Sequence, residues 1–389
     1  MRFIHMADLH LPNRVHSFSL TDDQRVMRDS AIKFCRKEKP AVLLISGDVF
    51  DKAIPSIEAI RLFESFLVDL SRIGTSMLIV AGNHGSGDLL AFGNTFFAYH
   101  GIHVAGTFSG KLEKLVMTDE EGPVTFHLMP FIRLGDVRRF FPAKELNSTA
   151  DGVAAVLSTA DRGPGRHILV AHQFVRARDH EPLRSDSEIL QVGLADEIDA
   201  SIFAGFDYVA LGHLHGRQQI GPGPLHYAGS PMAYSFSETG QTKGALLVDL
   251  PLNVDPDIRQ LPLAKLHSMR RLRGPIGELI TRGRELEQKN DPARLDYLEI
   301  TLTDESAVAD PMNRLKTVYP HVMRLLFDRD RGDDSTDTLV SRDDFRSMSL
   351  AQLFAEFYLS QTGRPLTADQ RQLVEEVAVK AESSAEAGR

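Results

Sequence analysis

The chain has few cysteines, no excess of positive charge and no long apolar runs. Cys35 is the single cysteine among 389 residues, which excludes an intramolecular disulfide and a metal cluster held by cysteines. Lys and Arg number 44 against 53 Asp and Glu, so the formal net charge is −9 and an overall basic footprint for nucleic acid is missing. Because no run approaches the roughly 18 apolar residues of a membrane helix, and no signal-peptide pattern is seen, we expect a cytoplasmic protein.

Two other sequence patterns are absent. The chain has no internal repeat, and it has no G-x-x-x-x-G-K-[ST] loop of the kind that binds the phosphates of ATP. Any use of ATP would therefore depend on a partner. The length itself is typical of two to three domains.

The beginning of the chain alternates continuous apolar strands with amphipathic helices. Strands are predicted at 3–7, 41–46 and 76–81, and helices at 23–37 and 55–71. Continuous apolar strands indicate burial on both faces, as in a parallel sheet that is covered by helices. The expected fold class is therefore α/β.

After residue 126 the strands have fewer helices between them, which predicts a second sheet packed on the first. The character changes again after Pro251, where a small α+β unit is expected. A charged, polar segment then follows whose composition is typical of a mobile linker. The predicted domains are 1–251, 252–327, the linker 328–348, and terminal helices at 349–389.

Five short motifs, each after an apolar run, have the order D-x-H, G-D, G-N-H, H and G-H-x-H. Their candidate metal ligands are Asp8, His10, Asp48, Asn83, His172, His213 and His215. The carboxyl ends of neighbouring strands meet at one edge of an open α/β sheet, so we expect these side chains to converge. Asp8 and His10 are two residues apart, and in extended backbone such side chains point the same way.

The chemistry of this set indicates divalent metals. Mixed oxygen and nitrogen ligands suit Mn, Fe or Zn better than Mg or Ca. Asp48 has two carboxylate oxygens and could bridge two ions. Two ions about 4 Å apart would activate a water and hold the oxygens of a phosphate, and His84 remains for chemistry.

Each motif alone has an ordinary structural explanation. G-N-H commonly forms a turn, and H-x-H can be one solvent-facing side of a strand. Five motifs in this order, each after a hydrophobic strand, favour a metal site.

The five motifs resemble the signature of the calcineurin-like metallophosphoesterases. Within that superfamily, residues 205–215, 227–232 and 234–238 are similar to the SbcD family of bacterial exonuclease subunits, which belongs to the double-strand-break-repair nucleases. The similarity extends over most of the chain, including residues 353–358. It implies a two-sheet, four-layer αββα core, a DNA-capping α+β domain and C-terminal helices that bind an ATPase.

The resemblance also implies an activity and residue roles. The activity would be that of a Mn-dependent nuclease, with Fe, Zn or Mg as alternative metals, acting as a 3′–5′ double-strand exonuclease and single-strand endonuclease in DNA repair and recombination. One ion would be held by Asp8, His10, Asp48 and His215, and the other by Asp48, Asn83, His172 and His213. His84 would assist the leaving group and Asp51 would orient His84.

One position departs from the family pattern. An acidic residue usually follows G-N-H, whereas this chain has Gly85. Because that residue is not a ligand in the family, the departure concerns the support of the loop that carries His84.

Two further features concern partners. Arg176, Arg178 and Arg184 follow His172 and are candidates for DNA contacts, although a solvated surface explains them equally well.

The terminal helices begin with two capping boxes, and the first carries an apolar stripe of Leu350, Leu353, Phe354, Phe357 and Tyr358. Such a stripe usually packs on its own domain, but beyond a polar linker it is suited to a partner's groove. The resemblance implies an SbcC-like SMC ATPase as that partner, and a homodimer within a heterotetramer.

Three functions remain open at this point. The first is a metal-dependent DNA exo/endonuclease that hydrolyses phosphodiester bonds at DNA ends and hairpins. The second is a phosphodiesterase of the same fold that acts on small nucleotides. The third is a metal-binding scaffold protein without turnover.

Overall fold

A computed structural model describes residues 1–177, 181–188, 197–328, 349–362 and 365–386. Arg178 and, apart from Asp328, the predicted linker lie outside the described residues. None of the described helices combines the length and the apolar character that a membrane span requires.

The strands and helices are numbered in chain order. The strands are β1 (Arg2–Met6), β2 (Arg14–Val15), β3 (Phe18–Ser19), β4 (Val42–Ser46), β5 (Ser76–Val80), β6 (Ile102–Ala105), β7 (Glu113–Asp119), β8 (Gly122–Met129), β9 (Arg166–His172), β10 (Val175–Arg176), β11 (Ile198–Asp199), β12 (Tyr208–Gly212), β13 (Gln218–Gln219), β14 (Leu225–Tyr227), β15 (Gly244–Asp249), β16 (Asp257–Pro262), β17 (Met269–Gly274), β18 (Tyr297–Leu302) and β19 (Val322–Phe327). The helices are α1 (Thr21–Glu38), α2 (Ile57–Arg72), α3 (Gly87–Leu90), α4 (Asn94–Ala98), α5 (Leu134–Arg138), α6 (Thr149–Leu157), α7 (Ile276–Gln288) and α8 (Pro311–Lys316), followed by a first terminal helix (Leu350–Thr362) and a second terminal helix (Ala368–Glu386).

Two six-stranded sheets form the centre of the molecule. The first has the order β16-β15-β1-β4-β5-β6, and the second has the order β13-β14-β12-β9-β8-β7. In each sheet four consecutive strands are parallel, namely β1-β4-β5-β6 and β14-β12-β9-β8. The carboxyl ends of these parallel strands are where an open α/β sheet normally places its ligands.

The two sheets pack face to face through large apolar side chains. Phe3 and Leu44 of the first sheet share a fully buried core with Phe126 and Tyr208 of the second. The ring of Phe3 meets Tyr208 edge to face, with 5.2 Å between the centroids. Such aromatic pairs contribute about 0.5–1.5 kcal/mol beyond the area they bury.

Helices cover the outer face of each sheet. Because side chains alternate along a strand, Leu43 points away from the second sheet and shares a core with Met27 of α1 and Phe66 of α2. On the other side, Leu169 shares a core with Val153 of α6. The predicted four-layer αββα arrangement is therefore confirmed.

A small α+β unit follows the core. The parallel strands β17, β18 and β19 form its sheet, and α7 and α8 share its core through residues such as Leu279, Ile300 and Leu315. The predicted start of this unit at residue 252 requires a correction, because β16 pairs with β15 and extends the first core sheet to Pro262. Pro251 marks only the turn between those two strands.

Asp23 of α1 joins the small unit to the core. Its carboxylate is buried and accepts hydrogen bonds from the backbone N of His267 at 2.8 Å, from Nδ1 of His267 at 3.0 Å and from the Tyr297 hydroxyl at 2.8 Å. A carboxylate with three donors is well compensated for its burial.

Both terminal helices begin with the expected capping boxes. The Ser349 hydroxyl accepts from the backbone N of Gln352 at 3.2 Å, and the Gln352 side chain accepts from the backbone N of Ser349 at 2.8 Å. Thr367 and Gln370 make the same reciprocal pair.

The two sheets approach each other closely at the carboxyl end of β12. A Cβ atom on Gly212 would lie 1.8 Å from the carbonyl oxygen of Ser46 in β4 and 2.9 Å from Nδ1 of His172. Ser46 also donates its hydroxyl to the carbonyl of Ala210 at 3.0 Å, across the interface of the sheets. Only glycine fits at position 212, because backbone from the other sheet occupies the place of a side chain.

We expect Gly212→Ala to destabilise the protein at or beyond the upper end of the about 1–3 kcal/mol typical of overpacked cores. Urea unfolding measures this loss. Gly135→Ala is the matched control, since a Cβ there meets nothing within 4 Å and alanine favours the helix. Equal stability of the two variants would contradict the close approach of the sheets.

Candidate metal centre

The first two ligands lie in a turn that follows β1. Asp8 and His10 have φ angles of 55° and 46°, in the left-handed region. The expectation that extended backbone aligns them is therefore wrong, because the strand ends at Met6 and the chain turns immediately. Asp48 and His213 also have positive φ, at 45° and 106°. Such conformations cost about 1–3 kcal/mol each and cluster at functional sites.

Asp8, His10 and His215 form one group of ligand atoms. All three side chains are buried, and their ligand atoms lie within 4.8 Å of one another. Nε2 of His10 and Nε2 of His215 are 3.2 Å apart. The side chain of Gln24 in α1 donates to the carbonyls of Leu9 and His10, at 3.2 and 3.0 Å, and so holds the loop in place.

Asp48, Asn83, His172 and His213 form the second group. Nε2 of His172 lies 2.9 Å from Oδ1 of Asn83 and 3.2 Å from Oδ2 of Asp48. Nδ1 of His213 is 3.2 Å from the same oxygen of Asn83. The other ring nitrogen of His172, Nδ1, donates to the carbonyl of Ser46 at 2.8 Å.

This second group fits a divalent cation. Because Nδ1 of His172 donates to Ser46, its Nε2 faces the oxygens of Asp48 and Asn83, where a divalent cation can take the place of the proton that Nε2 carries without metal. Burial alone would lower the pKa of His172, but the charge of Asp48 and the hydrogen bond to it raise that pKa to about 9. Burial, with the neighbouring charge of His172, lowers the pKa of His213 to about 3, so that its imidazole is neutral as a metal ligand must be.

The carboxylate of Asp48 lies between the two groups. Its Oδ2 is 3.9 Å from Nε2 of His10 and 3.2 Å from Nε2 of His172. Its Oδ1 accepts from the backbone N of His84 at 3.0 Å. Gly82 makes this approach possible, because a Cβ there would lie 2.1 Å from the same oxygen. Asp48 therefore lies near residues of both groups, and its bridging role stays a prediction.

His84 stands at the mouth of the site. Its side chain is 13% exposed, and its Nε2 lies 4.0 Å from Oδ2 of Asp48. The backbone carbonyl of Asp51 is 3.3 Å from Nδ1 of His84, whereas the Asp51 carboxylate lies 3.4 Å from Nδ1 of His10. Asp51 therefore touches His84 through its backbone and His10 through its side chain, and its orienting role stays a prediction.

Several supporting residues were not found from the sequence. The hydroxyl of Tyr234 donates to the carbonyl of Leu9 at 2.6 Å, and its ring packs against His10 with 5.4 Å between the centroids. Ser46 acts through its backbone carbonyl. Tyr234 begins the segment 234–238 that resembles the nuclease family, which was the available signal. Ser46 gave none, because any residue has a carbonyl.

The candidate DNA-binding arginines are close to glutamates. The guanidinium of Arg176 is 3.2 Å from Glu197, and that of Arg184 is 3.5 Å from Glu197 and 3.5 Å from Glu181. Arg184 also lies over the ring of Phe174, 4.5 Å from its centroid. Their charge is thus partly offset, and their contact with DNA stays a prediction.

Comparison with known families agrees with this geometry. Residues 1–217 match the family model described as calcineurin-like phosphoesterase, and residues 265–362 match the model described as type 5 capsule protein repressor C-terminal domain. The chain belongs to the calcineurin-like phosphoesterase family. That membership implies divalent metal ions at the site built from Asp8, Asp48 and their neighbours.

Two relatives indicate which branch of the phosphoesterase family this chain resembles. The SbcD subunit of the nuclease SbcCD from Staphylococcus saprophyticus is 29% identical over 383 residues, which is 97% of this chain and 97% of the relative. The protein of the same name from Staphylococcus epidermidis is 29% identical over 330 residues, 84% of this chain and 85% of the relative. The resemblance to the SbcD family is therefore confirmed.

A solved structure of a dimetal phosphatase from Danio rerio is also similar, at 15% identity. It covers 67% of this chain and 98% of its own, with a TM-score of 0.38. These values are too low to support an inference about this chain.

We expect Asp48→Asn to lower divalent-metal affinity by more than about 100-fold, since changes to the partners of ligands alone cost 10- to 100-fold. Metal content after dialysis, measured by mass spectrometry, checks this. Asp249→Asn is the matched control, because Asp249 pairs with the partly exposed Arg2 at 2.8 Å on the far end of β1. Unchanged metal content in Asp48→Asn would exclude Asp48 as a ligand.

Proposed function

We propose that this chain is a metal-dependent DNA exo/endonuclease that hydrolyses phosphodiester bonds at DNA ends and hairpins and works with an SbcC-like SMC ATPase in DNA repair and recombination. The observation that carries the proposal is the combination of convergent ligand groups with similarity to nuclease subunits over 97% of the chain. A cytoplasmic location is part of the proposal.

The proposed ligand sets follow the two groups. Asp8, His10 and His215 would hold one ion, Asn83, His172 and His213 the other, and Asp48 both. Mn is the proposed metal because the resemblance to the SbcD family implies it, and the mixed nitrogen and oxygen ligands are compatible with Mn, Fe or Zn. When bound, two such ions would polarise the phosphate and supply the nucleophile.

The residues of the chain supply orientation and a proton. With Nδ1 of His84 donating to the carbonyl of Asp51, its Nε2 faces the Asp48 side of the site. In the protonated form that nitrogen is placed to give its proton to the leaving oxygen as the phosphodiester breaks. Positive charge there would also stabilise the transition state.

Arg133 is a second group beside the site. Its guanidinium donates to the carbonyl of Asn83 at 3.3 Å and lies over the ring of Phe131, 5.2 Å from the centroid. The side chain is exposed, so it is accessible to the phosphates of a bound strand. We propose it, with Arg176, Arg178 and Arg184, as a DNA contact.

A small-nucleotide phosphodiesterase of the same fold is not favoured. The similarity to nuclease subunits includes the small unit and the first terminal helix, which an enzyme for small substrates would not need. A scaffold without turnover is not favoured either, since every proposed ligand side chain is present. At Gly85 a Cβ would meet nothing within 4 Å, so the absence of a side chain there removes no packing contact of the Cβ atom.

The first terminal helix is the proposed binding site for the ATPase partner. Leu350, Phe354 and Leu359 are 48%, 45% and 40% exposed. Exposed apolar residues of this size on one helix are typical of a helix that docks in a groove.

We also propose a homodimer. Phe92, Phe96 and Tyr99, around α3 and α4, are 79%, 64% and 85% exposed, and Ile57 of α2 is 70% exposed. Apolar patches of this kind mark interaction sites, and a second copy would cover them. Sedimentation that gave a single 43.2 kDa chain would refute the dimer.

We expect the full chain with its ATPase partner, Mn and ATP to degrade linear and hairpin DNA, and His84→Gln to lower the rate by about 100-fold or more, as removal of a general acid does. Gel assays on linear, hairpin and circular DNA measure this. His84→Gln should keep its bound metal, so metal analysis of the same samples is the control.

Three outcomes would count against the proposal. Intact DNA with the wild-type complex would remove the nuclease function. Equal rates for wild type and His84→Gln would remove the role of His84. Faster hydrolysis of small nucleotide diesters than of DNA, retained after truncation at Pro262, would favour the second candidate.

We expect Phe354→Glu to weaken binding of the ATPase partner by at least about 30-fold, because hot-spot aromatics contribute about 2 kcal/mol or more. Titration calorimetry with the purified partner measures this. Leu373→Glu, at a 61% exposed position of the second terminal helix, is the control. Equal losses in the two variants would remove the specific role of the first helix.

A further inference from the structure

A chain of polar side chains lies behind the predicted ligand His215. Nδ1 of His215 is 2.7 Å from the Ser187 hydroxyl, and that hydroxyl is 2.6 Å from Oε1 of Glu238. Oε2 of Glu238 pairs with Nζ of Lys243 at 2.5 Å. The side chains of His215 and Glu238 are 4% and 0% exposed, whereas Ser187 between them is half-buried.

The Glu238 carboxylate has several polar neighbours, among them the Ser230 hydroxyl, which is 3.2 Å from Oε2. Besides Ser187 and Lys243, it lies 3.1 Å from the Ser235 hydroxyl and 3.3 Å from the backbone N of Tyr234. An ionised carboxylate only accepts, and the adjacent ammonium of Lys243 provides the counter-charge that a buried carboxylate needs.

The hydrogen positions then follow from counting donors. A serine hydroxyl has one hydrogen, and the carboxylate of Glu238 has none to give, so Ser187 donates to Glu238. The oxygen of Ser187 must accept from His215, which places a hydrogen on Nδ1. Nε2 of His215 is left with a lone pair, and this is the nitrogen that lies 3.2 Å from Nε2 of His10.

The same network also holds the backbone of His215. Oε1 of Glu188 accepts from the backbone N of His215 at 2.8 Å, and Nζ of Lys243 donates to its carbonyl at 2.8 Å. Ser187 and Glu188 are neighbours in residues 181–188, and that segment is tied to the same region through the Asp186 backbone N and the Ser237 hydroxyl, at 2.9 Å. The imidazole ring and the backbone of His215 are therefore held by residues of the same network.

We propose that Ser187 and Glu238 are positioning residues that fix His215 as the Nδ1–H tautomer and direct its Nε2 toward a divalent metal. The identity of that bound group rests on the proposed function. Neither residue touches substrate or metal. Partners of this kind orient ligands, and their loss typically costs 10- to 100-fold in metal affinity.

Titration of the metal-stripped full-length chain with Mn²⁺ tests the proposal. We expect Ser187→Ala to weaken one class of sites by about 10- to 100-fold, and Ser187→Thr, which keeps the hydroxyl, to restore most of it. Ser185→Ala is the matched control, because the buried Ser185 hydroxyl makes no hydrogen bond to any residue of the described ranges. That variant should bind Mn²⁺ like wild type.

A second measurement needs no metal. Long-range proton–nitrogen NMR spectra of the metal-free chain with labelled histidine report each ring tautomer, and loss of a signal in His215→Gln assigns His215. We expect Nδ1–H in wild type and a mixture of tautomers in Ser187→Ala.

The Nε2–H tautomer in wild type, or unchanged Mn²⁺ affinity in a folded Ser187→Ala, would overturn the proposal. Wild type that binds no Mn²⁺ would overturn both the metal centre and the positioning role. If the variants behave as expected but DNA stays intact with the wild-type complex, only the nuclease function fails.

Discussion

The hydrogen bond from Nδ1 of His172 to the carbonyl of Ser46 connects the two sheets at the point where the site is built. It joins the end of β9 in the second sheet to the end of β4 in the first. Because the bond uses Nδ1, the opposite nitrogen is turned toward Asp48 and Asn83. Gly212 leaves room for it, since any side chain there would meet the Ser46 carbonyl. The packing of the sheets and the position of the ligands thus have one common cause, and neither group of ligands could converge if the sheets were farther apart.

Much of the fold could be predicted from local sequence. The strands predicted at 3–7, 41–46 and 76–81 agree with β1, β4 and β5 to within one residue at each end, because short apolar runs between turn-forming residues allow few alternatives. The edge strand β7 was not predicted. Its residues alternate between half-buried and exposed positions over 113–119, so the pattern lacks the continuous apolar run that marked the central strands. The end of the core at Pro262 was also missed, because the pairing of β16 with β15 is not visible in composition.

The ligand residues could be named from their order, but their geometry could not. Asp8 and His10 reach one site through left-handed turns and not through extended strand, as the sequence argument assumed. A positive φ at an aspartate or histidine leaves no signature in a single sequence. The partners of His215 were equally hidden, since Ser187 and Glu238 lie 28 and 23 residues from it and meet it only after folding. Long-range hydrogen bonds between common residue types are what a sequence read alone cannot supply.

Asp23 and Gln24, which are adjacent in α1, connect the small unit and the metal site to the same helix. Asp23 accepts hydrogen bonds from His267, which precedes β17, and from Tyr297 of β18 in the small unit. Gln24 donates to the carbonyl of His10 in the predicted ligand loop. The helical turn that contacts the small unit through Asp23 therefore also supports the loop of the predicted ligand His10 through Gln24. The small unit and the loop that carries His10 are thus hydrogen-bonded to neighbouring residues of one helix.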